Sequence, residues 1–285
     1  MIILIDSNYL CYYHSFRSPL SYEGQQVGII FGFMQSLLAL SKVFDTNRFV
    51  FAWDSRRSLR RVWLPTYKES RRGEKSAEEM LKEIESFRQF AALRTEVLPQ
   101  FGFQNVFLKP GYEADDIIAS VCRDNPEEEI AIVSSDNDLY QCISSFHFMY
   151  DVKKKAVYHR LNFMREWGIE PEDWAKVKSI AGCPGDNVPG VDGIGNKTAI
   201  KYLKGELSEK SKAFQKIEQG KREGKVSEAQ SLVELPFAGT GNFFIEKTEV
   251  FDVKDFLDIC DKYGFKSFIA QLPTWQDYFG MKGRR

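Results

Sequence analysis

Residues 48–54 read RFVFAWD, an apolar and aromatic run that ends on an acid. A short apolar run of this kind is typical of a strand buried on both faces of a parallel sheet. The chain starts in the same way, with MIILI before Asp6. Strand-like and helix-like segments then alternate along the chain, at 1–5, 27–44, 48–53, 76–97, 103–108, 113–122 and 129–133. This alternation predicts an α/β fold, a mostly parallel twisted sheet with helices on both faces.

Acidic residues fall in short clusters, and four of these clusters follow predicted strands. The acids are Asp6, Asp54, Glu113, Asp115, Asp116, Asp136, Asp138 and Asp186. One acid at such a place is also a common helix cap, but Ser, Thr or Asn would serve that purpose equally. The carboxyl ends of parallel strands meet at one edge, so these acids are expected to converge. Oxygen ligands without paired His or Cys indicate Mg²⁺ or Mn²⁺, whose usual chemistry is on phosphate esters.

Composition sets outer limits on the class of protein. With 285 residues, 43% of them hydrophobic, the chain is long enough for one large domain or two unequal ones. The five cysteines contain no CxxC pair, which argues against a disulfide framework or a zinc site and favours a reducing compartment. No apolar run reaches the roughly 20 residues of a membrane span. We therefore expect a cytoplasmic protein with no membrane partner.

The net charge of −1 conceals a segregated distribution of charge. Residues 54–75 contain eight Lys or Arg and three acids. Such a run is often only a solvated loop. A connection this long inside a compact domain is, however, usually functional or disordered.

A second signature lies at 185–199, which read GDNVPGVDGIGNKTA. From about residue 161 the pattern changes to helices with glycine-rich joints, which places a domain boundary near 165. Two helices joined by a glycine hairpin present backbone N–H groups to a phosphate. The glycines also fit a simple helix C-cap and turn, because they tolerate positive φ. Lys197 and Lys201, one helical turn apart, favour phosphate binding over the simple turn.

Together these motifs resemble the 5′-nuclease family of flap endonucleases, which includes the 5′-nuclease domain of bacterial DNA polymerase I and the free-standing phage 5′-exonucleases. The motifs are Asp6 after an apolar start, FAWD at 51–54, LPTYKESR at 64–71, GYEADD at 111–116, SSDNDLYQ at 134–141 and DNVPGVDGIGNKTA at 186–199. The resemblance implies a PIN-like metal-binding nuclease domain over 1–165, with a helical arch at about 56–98. It also implies a helical DNA-binding domain over 166–285, with a helix-hairpin-helix at about 178–204.

The resemblance further implies roles for individual residues. Asp6, Asp54, Glu113, Asp115, Asp116 and Asp136 would hold or orient a first metal, and Asp138 and Asp186 a second. Tyr67 would stack on a base, while Lys68 and Arg71 would meet the scissile phosphate. Duplex DNA would be gripped through Lys178, Gly190, Gly193, Gly195, Lys197 and Lys201. The hairpin of such enzymes commonly holds K⁺ through backbone carbonyls, and this chain keeps the glycines for it.

One position departs from the family pattern. The family usually reads Gly-Asp-x-x-Asp-Asn where residues 182–187 read GCPGDN, so Cys183 replaces a second-metal carboxylate. A neutral thiol adds no charge and suits Mg²⁺ poorly. We therefore expect a weakened second site, which needs more metal or favours Mn²⁺. The alternative is that Cys183 is merely a small buried residue whose neighbours compensate.

The function implied is metal-dependent hydrolysis of DNA near 5′ ends, as an exonuclease or flap endonuclease in replication or repair. Expected partners are DNA with a 5′ flap, nick or 5′ end, and RNA–DNA hybrid ends, bound by a monomer through backbone phosphates. Two alternatives remain open. One is a non-catalytic DNA-junction binding protein with a degraded second metal site, and the other is a PIN-like nuclease that cleaves RNA.

Overall fold

The computed structural model describes residues 1–15, 19–71, 73, 75–246 and 250–280. Its strands are β1 Ile2–Asp6, β2 Ser21–Tyr22, β3 Gln25–Gln26, β4 Phe49–Trp53, β5 Val106–Leu108, β6 Ile130–Val133, β7 His147–Asp151 and β8 Ala156–Tyr158. Six of them form one sheet in the order β5-β4-β1-β6-β7-β8. Every neighbouring pair in it is parallel except β7 with β8. The predicted mostly parallel sheet is therefore confirmed.

Helices fill most of the remaining chain. They are α1 Ser7–Ser15, α2 Gly28–Phe44, α3 Arg60–Trp63, α4 Ala77–Ala92, α5 Leu98–Gln100, α6 Ala114–Asp124, α7 Arg160–Trp167, α8 Trp174–Ala181, α9 Asn196–Leu203, α10 Lys212–Arg222, α11 Lys225–Val233, α12 Val253–Tyr263, α13 Lys266–Ala270 and α14 Leu272–Phe279. The described residues after 161 contain no strand, as predicted. The helix predicted at 76–97 starts at its Ser76 cap and is completed by a π-helical turn, Leu93–Val97.

Both faces of the sheet are covered, which follows from alternation within the strands. In β1, Ile3 and Ile5 join a core that includes α2, whereas Ile2 and Leu4 join a second core with α6. Strand β4 follows the same pattern: Phe49 and Phe51 face the α2 side, and Val50 faces α6. Burial on both faces explains why these strands are continuously apolar. Helices on both faces of the sheet are therefore confirmed.

The C-terminal helices return to the sheet. Phe256, Trp275 and Phe279 belong to the same buried core as Ile3 and Phe49. A separate core contains Phe163, Trp174, Val177, Ile180, Val191, Ile194, Ala199, Ile200 and Ile217, from α7 to α10. Residues 253–279 thus pack with the sheet, although the sequence analysis groups them with 166–285. The division of the chain into two domains stays a prediction.

Two further expectations can be compared with the structure. Within the described ranges, no helix is long and apolar enough to cross a membrane. All five cysteines are buried and free, so no disulfide joins them.

Candidate active site

The carboxyl ends of β1, β4 and β6 open into a cleft of about 530 Å³. Six of the eight predicted acids line it, namely Asp6, Asp54, Asp115, Asp136, Asp138 and Asp186. Lys68, Arg71, Lys178 and Cys183 line the same cleft. The expected convergence of strand-end acids is therefore present, and three predicted cations share the space with them. Glu113 and Asp116 are not among the lining residues and lie in the wall behind it.

Asp6 occupies the deepest position, at the end of β1. Its Oδ2 accepts a hydrogen bond from the Ser134 hydroxyl at 2.9 Å, and its Oδ1 accepts one from the Tyr9 amide at 3.0 Å. Burial, together with the negative charge of Asp54, raises the pKa of Asp6 to about 7. The two hydrogen bonds oppose this rise without cancelling it. Without a cation nearby, the ionised form of Asp6 is thus poorly stabilised.

Four of the acids have no protein cation beside them. Within the part of the chain that the structure describes, Asp6, Asp54, Asp115 and Asp136 form no ion pair within 4.0 Å. The pKa of each carboxyl is raised, first by loss of solvation and then by neighbouring carboxylates. Asp54 and Asp136 remain accessible to water at the mouth of the cleft, whereas Asp6 is buried. These four acids, the unpaired group, carry an uncompensated negative charge.

The other four acids are already neutralised by neighbours. Their ion pairs are Glu113 with Lys68 at 2.9 Å, Asp116 with Arg60 at 2.7 Å, Asp138 with Lys178 at 2.8 Å and Asp186 with Arg71 at 2.5 Å. The pKa of Glu113 is lowered: burial opposes this, but the Lys68 and Arg60 charges outweigh it. Among the described residues, no three His, Cys, Asp or Glu side chains form a group that could hold a metal ion as they stand. These four acids, the paired group, therefore direct their oxygens towards protein cations.

Tyr67 is placed differently from the expectation that it stacks on a base. Its ring is only 3% exposed, and it packs with Cys183 and Val188. Its hydroxyl donates to Glu113 Oε2 at 2.9 Å and lies 3.3 Å from Asp186 Oδ2. A ring buried in this way would have to become exposed before a base could stack on it, so the stacking role stays a prediction. Tyr67 orients carboxylates beside the cleft.

Asp116, which is predicted to hold or orient the first metal, is not among the residues that line the cleft. The residue is fully buried, and its oxygens accept from Arg60 twice and from the amides of Glu113 and Phe237. With its lone pairs used, Asp116 acts in the wall of the site rather than as a ligand. Arg60 was not singled out by the sequence analysis, since it is one of eight cations in the basic segment 54–75. Nothing in that run distinguishes a buried guanidinium from a solvated one.

Cys183 lies at the entrance to the hairpin and faces Asp138. Its Sγ is 4.0 Å from both Asp138 oxygens, and the residue is 6% exposed. Burial raises the pKa of the thiol to about 12, helped by the charge of Asp138. The group is therefore a neutral thiol at physiological pH. This fits both a weakened second site and a small buried residue.

The glycine hairpin lies between α8 and α9; Gly190, Gly193 and Gly195 are not among the residues that line the acidic cleft, whereas Gly185 and Asp186 are. A Cβ on Gly190 would come within 2.3 Å of the Ala181 carbonyl carbon, so the hairpin needs glycine there for close packing. Gly193 has φ of +75°, which also favours glycine, whereas a Cβ on Gly195 would meet open space. Lys197 and Lys201 are exposed on α9. Lys178, predicted to contact DNA, instead points into the cleft towards Asp138.

Comparison of the fold with solved structures gives long matches at low sequence identity. The T5 D15 protein co-crystallised with metal ions has a TM-score of 0.71 and 20% identity, covering 82% of this chain and 89% of that one. The catalytic core of Rad2 in complex with DNA substrate has a TM-score of 0.56 and 15% identity, covering 98% and 91%. At these identities the likeness is one of fold.

Sequence comparison gives closer matches. The thermostable DNA polymerase I of Thermus thermophilus is 31% identical over 215 residues, 71% of this chain and 24% of that protein. A 5′-3′ exonuclease of Halalkalibacterium halodurans is 32% identical over 192 residues, 65% of this chain and 60% of that protein. The chain thus spans about a quarter of the polymerase. Residues 1–168 match the family described as 5′-3′ exonuclease, N-terminal resolvase-like domain. Since that match contains the whole sheet and most of the acidic cleft, the chain belongs to the 5′-3′ exonuclease family.

Proposed function

We propose that this protein is a divalent-metal-dependent, structure-specific 5′ nuclease that hydrolyses DNA phosphodiesters near 5′ ends. The observation that carries the proposal is the unpaired group of acids, which shares one cleft with Lys68 and Arg71. Carboxylates held together without a counter-charge are costly to bury. A site that binds a cation and a phosphate explains why both signs of charge face the same space. The match to the 5′-3′ exonuclease family supports the same activity.

The donor set fits divalent cations of the Mg²⁺ or Mn²⁺ class. Asp6, Asp54, Asp115 and Asp136 would hold the first ion, since these oxygens have no protein cation within 4.0 Å in the described structure. The T5 D15 protein co-crystallised with metal ions, and T5 5′-exonuclease with divalent zinc ions bound, support divalent-metal binding by a protein of this fold.

The second ion would bind more weakly. Asp138 and Asp186 would hold it, but each is already paired, with Lys178 and Arg71. Cys183 adds a neutral thiol where the family pattern has an acid. A second ion must therefore compete with two protein cations without the help of a third carboxylate. We propose that filling this site takes more Mg²⁺ than the first, or the softer Mn²⁺.

The side chains around the phosphate position have distinct tasks. Bound divalent cations supply an activated water and stabilise charge on the phosphate and the leaving oxygen. Lys68 would neutralise charge that develops on the phosphate, and Arg71 would do so after leaving Asp186. A well-placed donor of this kind is worth roughly 3 kcal/mol of the barrier. Tyr67 and Glu113 hold the Lys68 ammonium at the wall of the cleft until then.

DNA is the proposed partner, gripped mainly by the helical part of the chain. Lys197 and Lys201 on α9 stand exposed for backbone phosphates, with the hairpin of Gly190, Gly193 and Gly195 beside them. The Rad2 core and a T5 D15 variant are described in complexes with DNA, which supports this partner. A K⁺ ion at the hairpin, RNA–DNA hybrid substrates and action as a monomer belong to the same proposal, as do an arch at 56–98 and a domain boundary near 165.

A gel assay distinguishes this proposal from its alternatives. A 5′-labelled flap, a nicked duplex and a single-stranded RNA would each be incubated with and without Mg²⁺. We expect metal-dependent cleavage of the two DNA substrates and intact RNA. Binding of the flap without cleavage at any metal concentration would identify a DNA-junction binding protein. Preferential cleavage of the RNA would identify a PIN-like ribonuclease.

A further inference from the structure

Arg60 is buried in a segment whose other cations are largely exposed. Its residue is 2% exposed, whereas its neighbours Arg56 and Arg57 in the basic segment 54–75 face solvent. Removing a guanidinium from water is costly unless each of its donors finds a partner. The position therefore calls for an explanation beyond general attraction to DNA.

The contacts of Arg60 join three distant parts of the chain. Its Nη1 and Nη2 each donate to one oxygen of Asp116 at 2.7 Å, 56 residues away. Its Nε donates to the Leu232 carbonyl at 2.8 Å, 172 residues away. The ring of Phe237 lies 4.6 Å from its Cζ. A planar fork with fixed donor directions makes these contacts at once, which an ammonium group does not.

Asp116 connects Arg60 to the residues that line the cleft. Its remaining bonds come from the Phe237 amide at 2.9 Å and the Glu113 amide at 3.0 Å, which closes the first turn of α6. That turn carries Asp115, which lines the cleft. It also follows Glu113, whose Oε2 accepts from Lys68 Nζ at 2.9 Å. Arg60 is thus two contacts away from both a proposed metal ligand and the proposed phosphate-binding lysine.

We propose that Arg60 is a positioning residue that fixes the first turn of α6, so that Asp115 and the Lys68 ammonium face the cleft. Because its third donor is taken by Leu232 at the end of α11, the placement of these groups depends on the helical part of the molecule being docked. Arg60 itself touches no substrate. The inference rests on the proposed function, and it adds a residue that orients the site.

The first test is Arg60→Lys, which keeps the charge and loses the fork. We expect kcat for flap cleavage to fall about 10- to 100-fold with KM nearly unchanged, the range typical of residues that orient a metal site from outside its ligand set. Mn²⁺ affinity, measured by calorimetry without DNA, should fall as well. Arg57→Lys is the matched control, since Arg57 is exposed and forms no ion pair among the described residues. It should retain wild-type kcat and Mn²⁺ affinity.

A second variant separates positioning from stability. Arg60→Met combined with Asp116→Asn removes both buried charges together, while the amide oxygen at 116 can still accept from one of the two backbone amides that bond to Asp116. We expect its Tm to recover towards wild type while kcat and Mn²⁺ affinity stay low. Recovery of all three would show that Arg60 only stabilises the fold. Wild-type kcat and Mn²⁺ affinity in Arg60→Lys would overturn the proposal equally.

Different results would contradict the proposed nuclease function and the inference about Arg60. If the wild-type protein cleaves no DNA, the proposed function fails, and the Mn²⁺ titrations still decide whether Arg60 orients the acids. If the wild type cleaves and the folded variants cleave equally well, only the inference about Arg60 fails. Should Arg60→Lys fail to fold, the double variant supplies the decision.

Discussion

At the scale of single residues, the eight acids divide into two equal groups by their partners. Glu113, Asp116, Asp138 and Asp186 are paired with Lys or Arg. The unpaired group has raised pKa values because its members lose solvation and repel one another. A divalent cation would reverse that penalty. The ion pairs thus separate four acids that already have a protein cation, among them the proposed second-metal ligands Asp138 and Asp186, from four that have none within 4.0 Å in the described structure.

The unpaired group predicts a pH dependence for the metal-free protein. The pKa of Asp6 is about 7 in the folded state and 3.8 without the fold. A raised folded-state pKa means that the stability due to protonated Asp6 is fully present below about pH 4 and is lost as the pH rises towards 7. For one group the loss is at most about 1.4 kcal/mol per pH unit.

Asp6→Asn should therefore be more stable than wild type at pH 8 in EDTA, by a margin that shrinks towards pH 4. Thermal unfolding at several pH values measures this margin. Added Mg²⁺ at pH 8 should raise the Tm of the wild type more than that of the variant. A margin that is the same at every pH would contradict the assignment.

Cys183→Asp tests the weakened second site. The new carboxylate would lie beside Asp138, whose oxygens are 4.0 Å from the present sulfur. We expect the Mg²⁺ concentration for half-maximal cleavage to fall several-fold, because a third acid competes better with Lys178. Cys183→Ser, which is small and neutral, should titrate like the wild type. Identical titrations for all three proteins would favour a purely structural Cys183.

Sequence patterns identified the acids but not their partners. A strand followed by an acid is a local signal, so the convergence of Asp6, Asp54 and Asp136 could be expected from the fold class alone. The partner of Asp116 is 56 residues away in a run of similar cations. Burial of Tyr67 likewise depends on tertiary packing against Val188. Local patterns carry no information on either contact.

At the scale of elements, the glycine hairpin is built by close approach at one position and open space at another. The backbone of Gly190 packs on the end of α8, where the backbone atoms of Ala181 and Gly182 leave no room for a Cβ. Gly195 precedes α9 and meets no neighbour at that distance. The two glycines therefore have different physical roles in one motif.

Gly190→Ala should destabilise the protein by about 1–3 kcal/mol, since the backbone of Ala181 cannot yield to a new methyl group. Gly195→Ala should cost less than about 1 kcal/mol, the usual loss when alanine replaces glycine at a helix N-cap. Urea unfolding of both variants measures the difference. Equal losses would contradict the close approach of the hairpin to α8.

Element boundaries were predicted well where apolar periodicity was strong. Helix α2 and strand β4 start within one residue of the predicted positions. Strand β5 is shorter than predicted, Val106–Leu108 instead of 103–108, and the Asn105 side chain just before it donates to the backbone carbonyls of Phe49 and Glu246. The π-helical turn Leu93–Val97 has no distinct sequence pattern, so it read as one continuous helix.

At the scale of the whole molecule, the C-terminal helices pack back onto the sheet. Helices α12 and α14 bring Phe256, Trp275 and Phe279 against Phe101 and Phe103 on the sheet side. Their apolar spacing predicts helices, but a helix pattern alone does not say which surface it covers. The contacts of Arg60 connect α3 with α6 and the end of α11, and the packing of α12 and α14 joins the C-terminal helices to the core of the sheet.

The account rests centrally on the unpaired group acting as a metal site for DNA cleavage. The most direct measurement compares wild type with Asp136→Ala, a change at the solvent-accessible mouth of the cleft. Cleavage of a 5′ flap in Mg²⁺ would be followed under single turnover, and flap affinity would be measured in Ca²⁺. For Asp136→Ala we expect an unchanged Tm and an unchanged flap affinity. The cleavage rate should fall by at least about 100-fold, because the variant loses several kcal/mol of metal-dependent stabilisation of the transition state. A variant that still cleaves at the wild-type rate would contradict it.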